Sequence, residues 1–217
     1  MICDLSAGRT AHPTPDLYNS FAELAVAETE GVHYQIRVIE RASAIVIVAP
    51  HGGRIEPGAS EMAALIAGED FSLYCFESLV PGRRLHITSS RFDEPRGLAL
   101  LGASEVAVAV HGRADADDPR TVWIGGLHLE LRDAIGAGLE RAGFEISTNH
   151  HMQGKHPLNI CNRGRLRGGA QLEMPRSLRN RLRGDVELRQ AFVAAVRNVL
   201  VDTFSIGLGA DIGERRG

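Results

Sequence analysis

Two apolar runs constrain this chain more than any other feature. "SAIVIVAP" (Ser43–Pro50) and "EVAVAV" (Glu105–Val110) are almost wholly hydrophobic and rich in β-branched residues. A strand with one face in water alternates polar and apolar side chains. A strand with no polar position has to be covered on both faces, as in the middle of a parallel sheet flanked by helices. Both runs end alike, in histidine and then glycine: "VIVAPHGG" and "VAVAVHGR". In open α/β sheets ligands bind beyond the carboxyl ends of the strands. If the two strands are parallel neighbours, His51 and His111 converge at that edge.

The remaining pattern fits the same architecture. Ser20–Glu28 reads as a short helix and Val32–Glu40 as a half-buried strand. Ser60–Ala67 is the helix after the first apolar run. Phe71–Ser78 and Arg84–Ser90 read as strands joined by a turn at Pro81-Gly82. Leu127, Leu131, Ile135 and Leu139 recur every four residues, the stripe of an amphipathic helix that Gly143 would close. "FEISTN" and "AQLEMP" read as strands. Asp185 is placed to cap a last long helix with Leu188, Phe192, Val193, Val196 and Leu200 on its buried side. No composition shift interrupts this alternation. The expectation is one α/β domain over residues 1–217, a three-layer α/β/α sandwich on a mixed, largely parallel sheet. Residues 1–16 would form an irregular arm and 207–217 a mobile tail. With 44% hydrophobic residues, the chain can fill such a core.

Composition removes several functions. A net charge of -3 gives no global field for nucleic acid. The arginine-rich "RSLRNRLRGD" is followed at once by acidic residues. No apolar stretch reaches the roughly 18 residues of a membrane span. No basic and apolar leader opens the chain, so a cytoplasmic location is expected, with phage-type or lysis-dependent release equally compatible. Cys3, Cys75 and Cys161 form no metal-type pair and suggest free thiols in a reducing compartment. No G-x-S-x-G or P-loop pattern occurs. His86 reads as a core histidine within a strand, and the adjacent His150 and His151 as loop residues.

The chemistry concentrates in "HGGRIE". Glu56 follows His51 by five residues, across glycines that allow the loop to fold back. Two histidines and a carboxylate with an open fourth position are a common ligand set of a catalytic zinc site. A histidine at a strand end is also an ordinary hydrogen-bonding residue, and spacing alone leaves both readings open. Glu173, between Leu172 and Met174, is a carboxylate inside an apolar strand. That is costly without a partner or a function, and an arginine partner would serve as well as a catalytic role. "CNRGRLRGG" places Arg163, Arg165 and Arg167 in a glycine-rich loop that suits an anionic ligand, with Arg165 and Arg167 reading rather as solvated surface.

"PHGGRIEPGASE", "ITSSRFDEP", "VAVHG", "GKHPLNICNRG" and "GAQLEMPRSLR" occur in order from Pro50 to Arg179. Together they resemble the poly-γ-glutamate hydrolase family, whose fold is similar to that of the zinc carboxypeptidases. The resemblance implies one Zn²⁺ held by His51, Glu56 and His111, with Glu173 as general base and acid. It implies Arg163 as the group that binds a substrate carboxylate, Arg91 as a second such group, and His156 as a residue lining the cleft. Asp93 and Glu94 could orient a ligand or hold a loop. Ala59 departs from the threonine expected before "SE" and bears on loop packing, not on the ligands. The implied substrate is an anionic glutamate polymer, with a small N-acyl or γ-glutamyl amino acid as the alternative. A non-catalytic metal-binding or polymer-binding module is a third reading. Neither nucleic acid nor membrane is expected as a partner, and the oligomeric state stays open.

Overall fold

A computed structural model describes residues 15–210, with side chains through residue 204. Residues 1–14 and 211–217 lie outside the described residues, and with them most of the expected arm and much of the expected tail.

The strands are β1 (Tyr34–Ile39), β2 (Ile45–Gly53), β3 (Ser72–Ser78), β4 (Val106–Arg113), β5 (Val122–Gly125), β6 (Ile146–Ser147) and β7 (Ala170–Pro175). They form one seven-stranded sheet in the order β1-β3-β2-β4-β7-β5-β6. Four of the six pairings are parallel, while β1–β3 and β5–β7 are antiparallel. The sheet is therefore mixed and largely parallel. The two apolar runs lie side by side at its centre, in register from Ile45↔Val106 to Val48↔Ala109.

Strand alternation divides the core in two. Ile45, Ile47 and Ala49 face α2 (Ala59–Ala67), α4 (Leu129–Arg141), α5 (Arg176–Gly184) and α6 (Val186–Ala210). Val46 and Val48 face α1 (Phe21–Ala27), α3 (Pro95–Ala103) and the buried residues Leu85, Ile87 and Phe92 of the intervening loop. Burying each such aliphatic side chain is worth about 1.5–3 kcal/mol, which explains why no polar residue interrupts either run. The result is the expected three-layer sandwich. On α4, Leu131, Ile135 and Leu139 form the buried stripe, while Leu127 precedes the helix and is part-exposed. Asp185 Oδ1 accepts from the Leu188 amide at 2.9 Å and caps α6 as expected.

One strand expectation fails. Arg84–Ser90 is a loop, not a strand. β3, its expected hairpin partner, is already bonded to β1 on one edge and β2 on the other. Leu85 and Ile87 still alternate into the second core, but side-chain bonds hold the backbone. Asp16 Oδ2 accepts from the Thr88 amide and hydroxyl, both at 2.7 Å. β5, α3 and α5 are not among the elements expected from the sequence, although Leu178 and Leu182 give α5 a buried stripe at helical spacing.

Candidate metal centre

β2 and β4 run parallel as neighbours, so their carboxyl ends open on the same edge. A regular β2 would put His51 on the face of Ile45, Ile47 and Ala49. It does not. From Ala49 to Gly52 β2 advances three residues while β3 advances two, from Cys75 to Glu77. This bulge turns the remainder of the strand over. His51 emerges on the opposite face, that of His111 and Glu173, against Phe92. Gly53 then takes φ +64°, a left-handed conformation open to glycine at little cost. The loop folds back, and the Glu56 amide donates to the His51 carbonyl at 3.0 Å.

Three donors meet. His51 Nδ1 lies 3.2 Å from His111 Nδ1 and 3.3 Å from Glu56 Oε1. His111 Nδ1 lies 3.7 Å from Glu56 Oε2. Tetrahedral ligands about 2.0–2.1 Å from a zinc ion stand roughly 3.3–3.4 Å apart, so these spacings fit one such ion. His51 Nε2 sits 2.8 Å from the Ile87 carbonyl, which can only accept. A neutral His51 therefore carries its proton there and offers a lone pair at Nδ1. Gly112 donates its amide to Glu56 Oε2 at 2.7 Å. Burial opposes ionisation of Glu56, yet the imidazoles of His51 and His111 outweigh it and hold the carboxyl far below the usual range. Burial pushes His111 down, which keeps its ring neutral and able to bind a cation.

Glu173 is the Cα partner of His111 across the β4–β7 ladder. It is 4% exposed. Gln171 Nε2 donates to its Oε1 at 3.2 Å, and its Oε2 has no hydrogen-bond partner among the described residues. Burial and then the charge of Glu56 push this carboxyl well above its ordinary value, with Arg113 and Arg179 pulling it back only in part. Without a metal the edge thus favours the ionised form of Glu56 and disfavours that of Glu173.

Sequence reasoning missed three residues here. His86 is buried as expected but lies in a loop, not a strand, and its ring stacks on His51 with centroids 4.1 Å apart and 29° between planes. His51, Glu56 and His86 offer ligand atoms within 4.8 Å of one another. Face-to-face rings aim their in-plane lone pairs side by side, however, and His86 Nδ1 is bonded to Asp16 Oδ1 at 2.6 Å. His111, tilted by 54° with its Nδ1 turned to that of His51, converges better. Burial, reinforced by the neighbouring His51, lowers His86 to about 3. The other two are Arg113 and Arg179, both buried. Arg113 lies over the Trp123 ring, 3.8 Å from its centre, and bonds Asp118 and the Thr121 carbonyl. In the sequence they are lost among abundant arginines.

The remaining expected residues stand further out. Arg163 donates from Nε to the Leu158 carbonyl at 2.8 Å and from Nη2 to the Ser90 carbonyl at 3.2 Å, and burial lowers its pKa. His156 is exposed and accepts at Nδ1 from the Leu158 amide. Arg91 is committed elsewhere: its two terminal nitrogens bond Asn19 and Asp16. It pins the segment before α1 to the 86–91 loop and does not stand free for a substrate.

Fold and cluster together define an α/β/α sandwich able to hold a divalent ion beside a buried acid at the carboxyl edge of its sheet. The sequence model of the family described as poly-gamma-glutamate hydrolase matches residues 18–203. The chain belongs to that family. The UPF0714 protein YndL of Bacillus subtilis (strain 168) is 34% identical over 183 residues, 82% of this chain and 71% of YndL. A bacteriophage poly-gamma-glutamate hydrolase structure superposes with a TM-score of 0.83 at 30% identity, over 88% of this chain and 100% of that one. A zinc-free structure of YndL gives 0.81 at 30% identity, with the same coverage. Among the described residues no helix is long and apolar enough to cross a membrane.

Proposed function

We propose that the protein is a zinc-dependent hydrolase of γ-glutamyl amide bonds, with poly-γ-glutamate as its substrate. The observation that carries this reading is the convergence of His51 Nδ1, His111 Nδ1 and the Glu56 carboxylate, with spacings of 3.2–3.7 Å, beside the buried Glu173. Family membership and the likeness to a phage poly-gamma-glutamate hydrolase support the substrate, and the zinc-free YndL structure supports the metal.

In this reading His51, Glu56 and His111 hold the ion, one per chain. When bound, zinc supplies a Lewis acid for the scissile carbonyl, acidifies the attacking water, and draws nearby carboxyls back toward ionisation. Glu173 does the proton work. Its Oε2 takes the proton of the attacking water and returns it to the leaving amide nitrogen. Gln171 fixes the other oxygen, so the carboxyl turns one edge to the reaction. Arg163 keeps Nη1 for a substrate carboxylate while its other nitrogens are tied to backbone carbonyls, and His156 lines the approach. A glutamate polymer carries one free carboxylate per repeat, so a single fixed guanidinium can set the register of cleavage.

The test is digestion of poly-γ-glutamate by the purified protein, with and without chelator, followed by product sizing. Shortening of the polymer that stops with chelation and returns with zinc is the expected result. Cleavage of small γ-glutamyl amino acids alone would move the substrate to that class. No cleavage of either by zinc-loaded protein would leave a binding module.

A further inference from the structure

We infer that Arg179 is a positioning residue for the metal centre, and that Gly112 is the notch that admits it. The inference rests on the ligand set proposed above. Arg179 comes from α5, outside every element that carries a proposed ligand, and is 3% exposed. Its guanidinium reaches three backbone carbonyls on three different segments. Nη1 donates to Pro57 at 2.6 Å, the residue after Glu56. Nη2 donates to Arg113 at 3.1 Å, two residues beyond His111. Nε donates to Met174 at 3.2 Å, the residue after Glu173. One planar fork thus fastens the Glu56 loop, the end of β4 and the end of β7 to one another. A lysine, with a single point of charge, cannot span three such directions.

The fit depends on residue 112. A Cβ built on Gly112 would stand 2.3 Å from Arg179 Cζ, 2.5 Å from Nη1 and 2.6 Å from Nε. The same glycine donates its amide to Glu56 Oε2. Glu56 and the fork that fixes its loop therefore meet at one residue, next to His111. Arg179 touches neither ion nor substrate. It acts by holding Glu56 where the two imidazoles need it.

The experiment measures zinc affinity by competition with a chromophoric chelator, and the rise in melting temperature on adding zinc to apo-protein. The variants are E56Q, R179K, G112A, R179A and R179A/G112A. Loss of an outer partner of a ligand typically costs 10–100-fold in metal affinity. E56Q is expected to lose zinc, and R179K and G112A to bind it 10–100-fold more weakly with a smaller zinc-induced rise. A merely structural arginine would lower the apo and zinc-bound melting temperatures alike and leave that rise unchanged. In R179A the obstructing atoms are gone, so adding G112A is expected to weaken zinc no further. If R179K does not fold, G112A with the native arginine decides between the two roles. E56Q losing zinc while R179K and G112A bind it normally would overturn the inference and leave the ligand set standing. E56Q binding zinc as tightly as the unmodified chain would overturn the ligand set and this inference with it.

Discussion

Glu173 lies directly across the β4–β7 ladder from His111, and the two side chains leave the sheet on the same face. The acid is therefore held by the same hydrogen-bonded pair of strands that holds one histidine of the cluster. Glu173→Gln keeps the shape and removes the proton transfer. Hydrolysis should fall about 10²–10⁴-fold while bound zinc, read by elemental analysis, stays near one per chain. In the zinc-free protein the variant should be no less stable, because burial and the Glu56 charge already disfavour the ionised form of the carboxyl it replaces. Turnover within a few-fold of the unmodified protein would remove Glu173 from the mechanism.

Zinc should stabilise the fold measurably. At a free concentration one hundred times the dissociation constant, a ligand of the native state adds about 2.7 kcal/mol. For a chain of this size that is a rise of roughly 5–10 °C in Tm. Calorimetry of chelated and reloaded protein should find it, and His51→Ala should abolish it. An equal rise in His51→Ala would mean that the ion binds elsewhere.

Asp16 gives a pH-dependent prediction away from the ion. Its side chain is 4% exposed. Burial would raise its pKa, but hydrogen bonds from Thr88 and His86 outweigh that and lower it to about 2. The folded value is below the unfolded one, so the stabilisation is complete above about pH 4. It is lost as pH falls from there through about 2. At full strength the shift corresponds to about 2.5 kcal/mol, and partial screening by solvent reduces this to about 1–2 kcal/mol. Urea denaturation should show Asp16→Asn less stable by that amount at pH 7, with the gap closing in acid. A gap that widens on acidification would reverse the assignment.

The two described cysteines should be inert in the native state. Burial pushes the Cys75 thiol up to about 12 and Cys161 higher still. Since the thiolate is the reactive form, alkylation followed by peptide mapping should label both only after denaturant is added. Rapid native labelling at either site would show that its strand or turn opens readily.

The middle of the fold was legible because Val46–Ala49 and Val106–Val110 contain no polar residue, and only a doubly covered strand tolerates that. The meeting of His51, Glu56 and His111 was legible in its membership but not in its geometry. Period-two alternation puts His51 on the wrong face, and no residue type announces the bulge. Arg84–Ser90 misled because Leu85 and Ile87 alternate like a strand, and strand signals say nothing about whether a sheet edge is free. His86 hid for the same reason. Arg179 was invisible because two of its three partners are carbonyls far away in the chain, which leave no trace in composition or spacing.

The bulge in β2 also limits how this chain can vary in length. Deleting Pro50 and letting the strand pleat regularly would seat the histidine directly after Ala49, on the face of Val46 and Val48, the side it already occupies. Straightening the strand with Pro50 kept would instead swing the imidazole under α2 into an aliphatic layer, so the extra residue and the bulge can be lost only together.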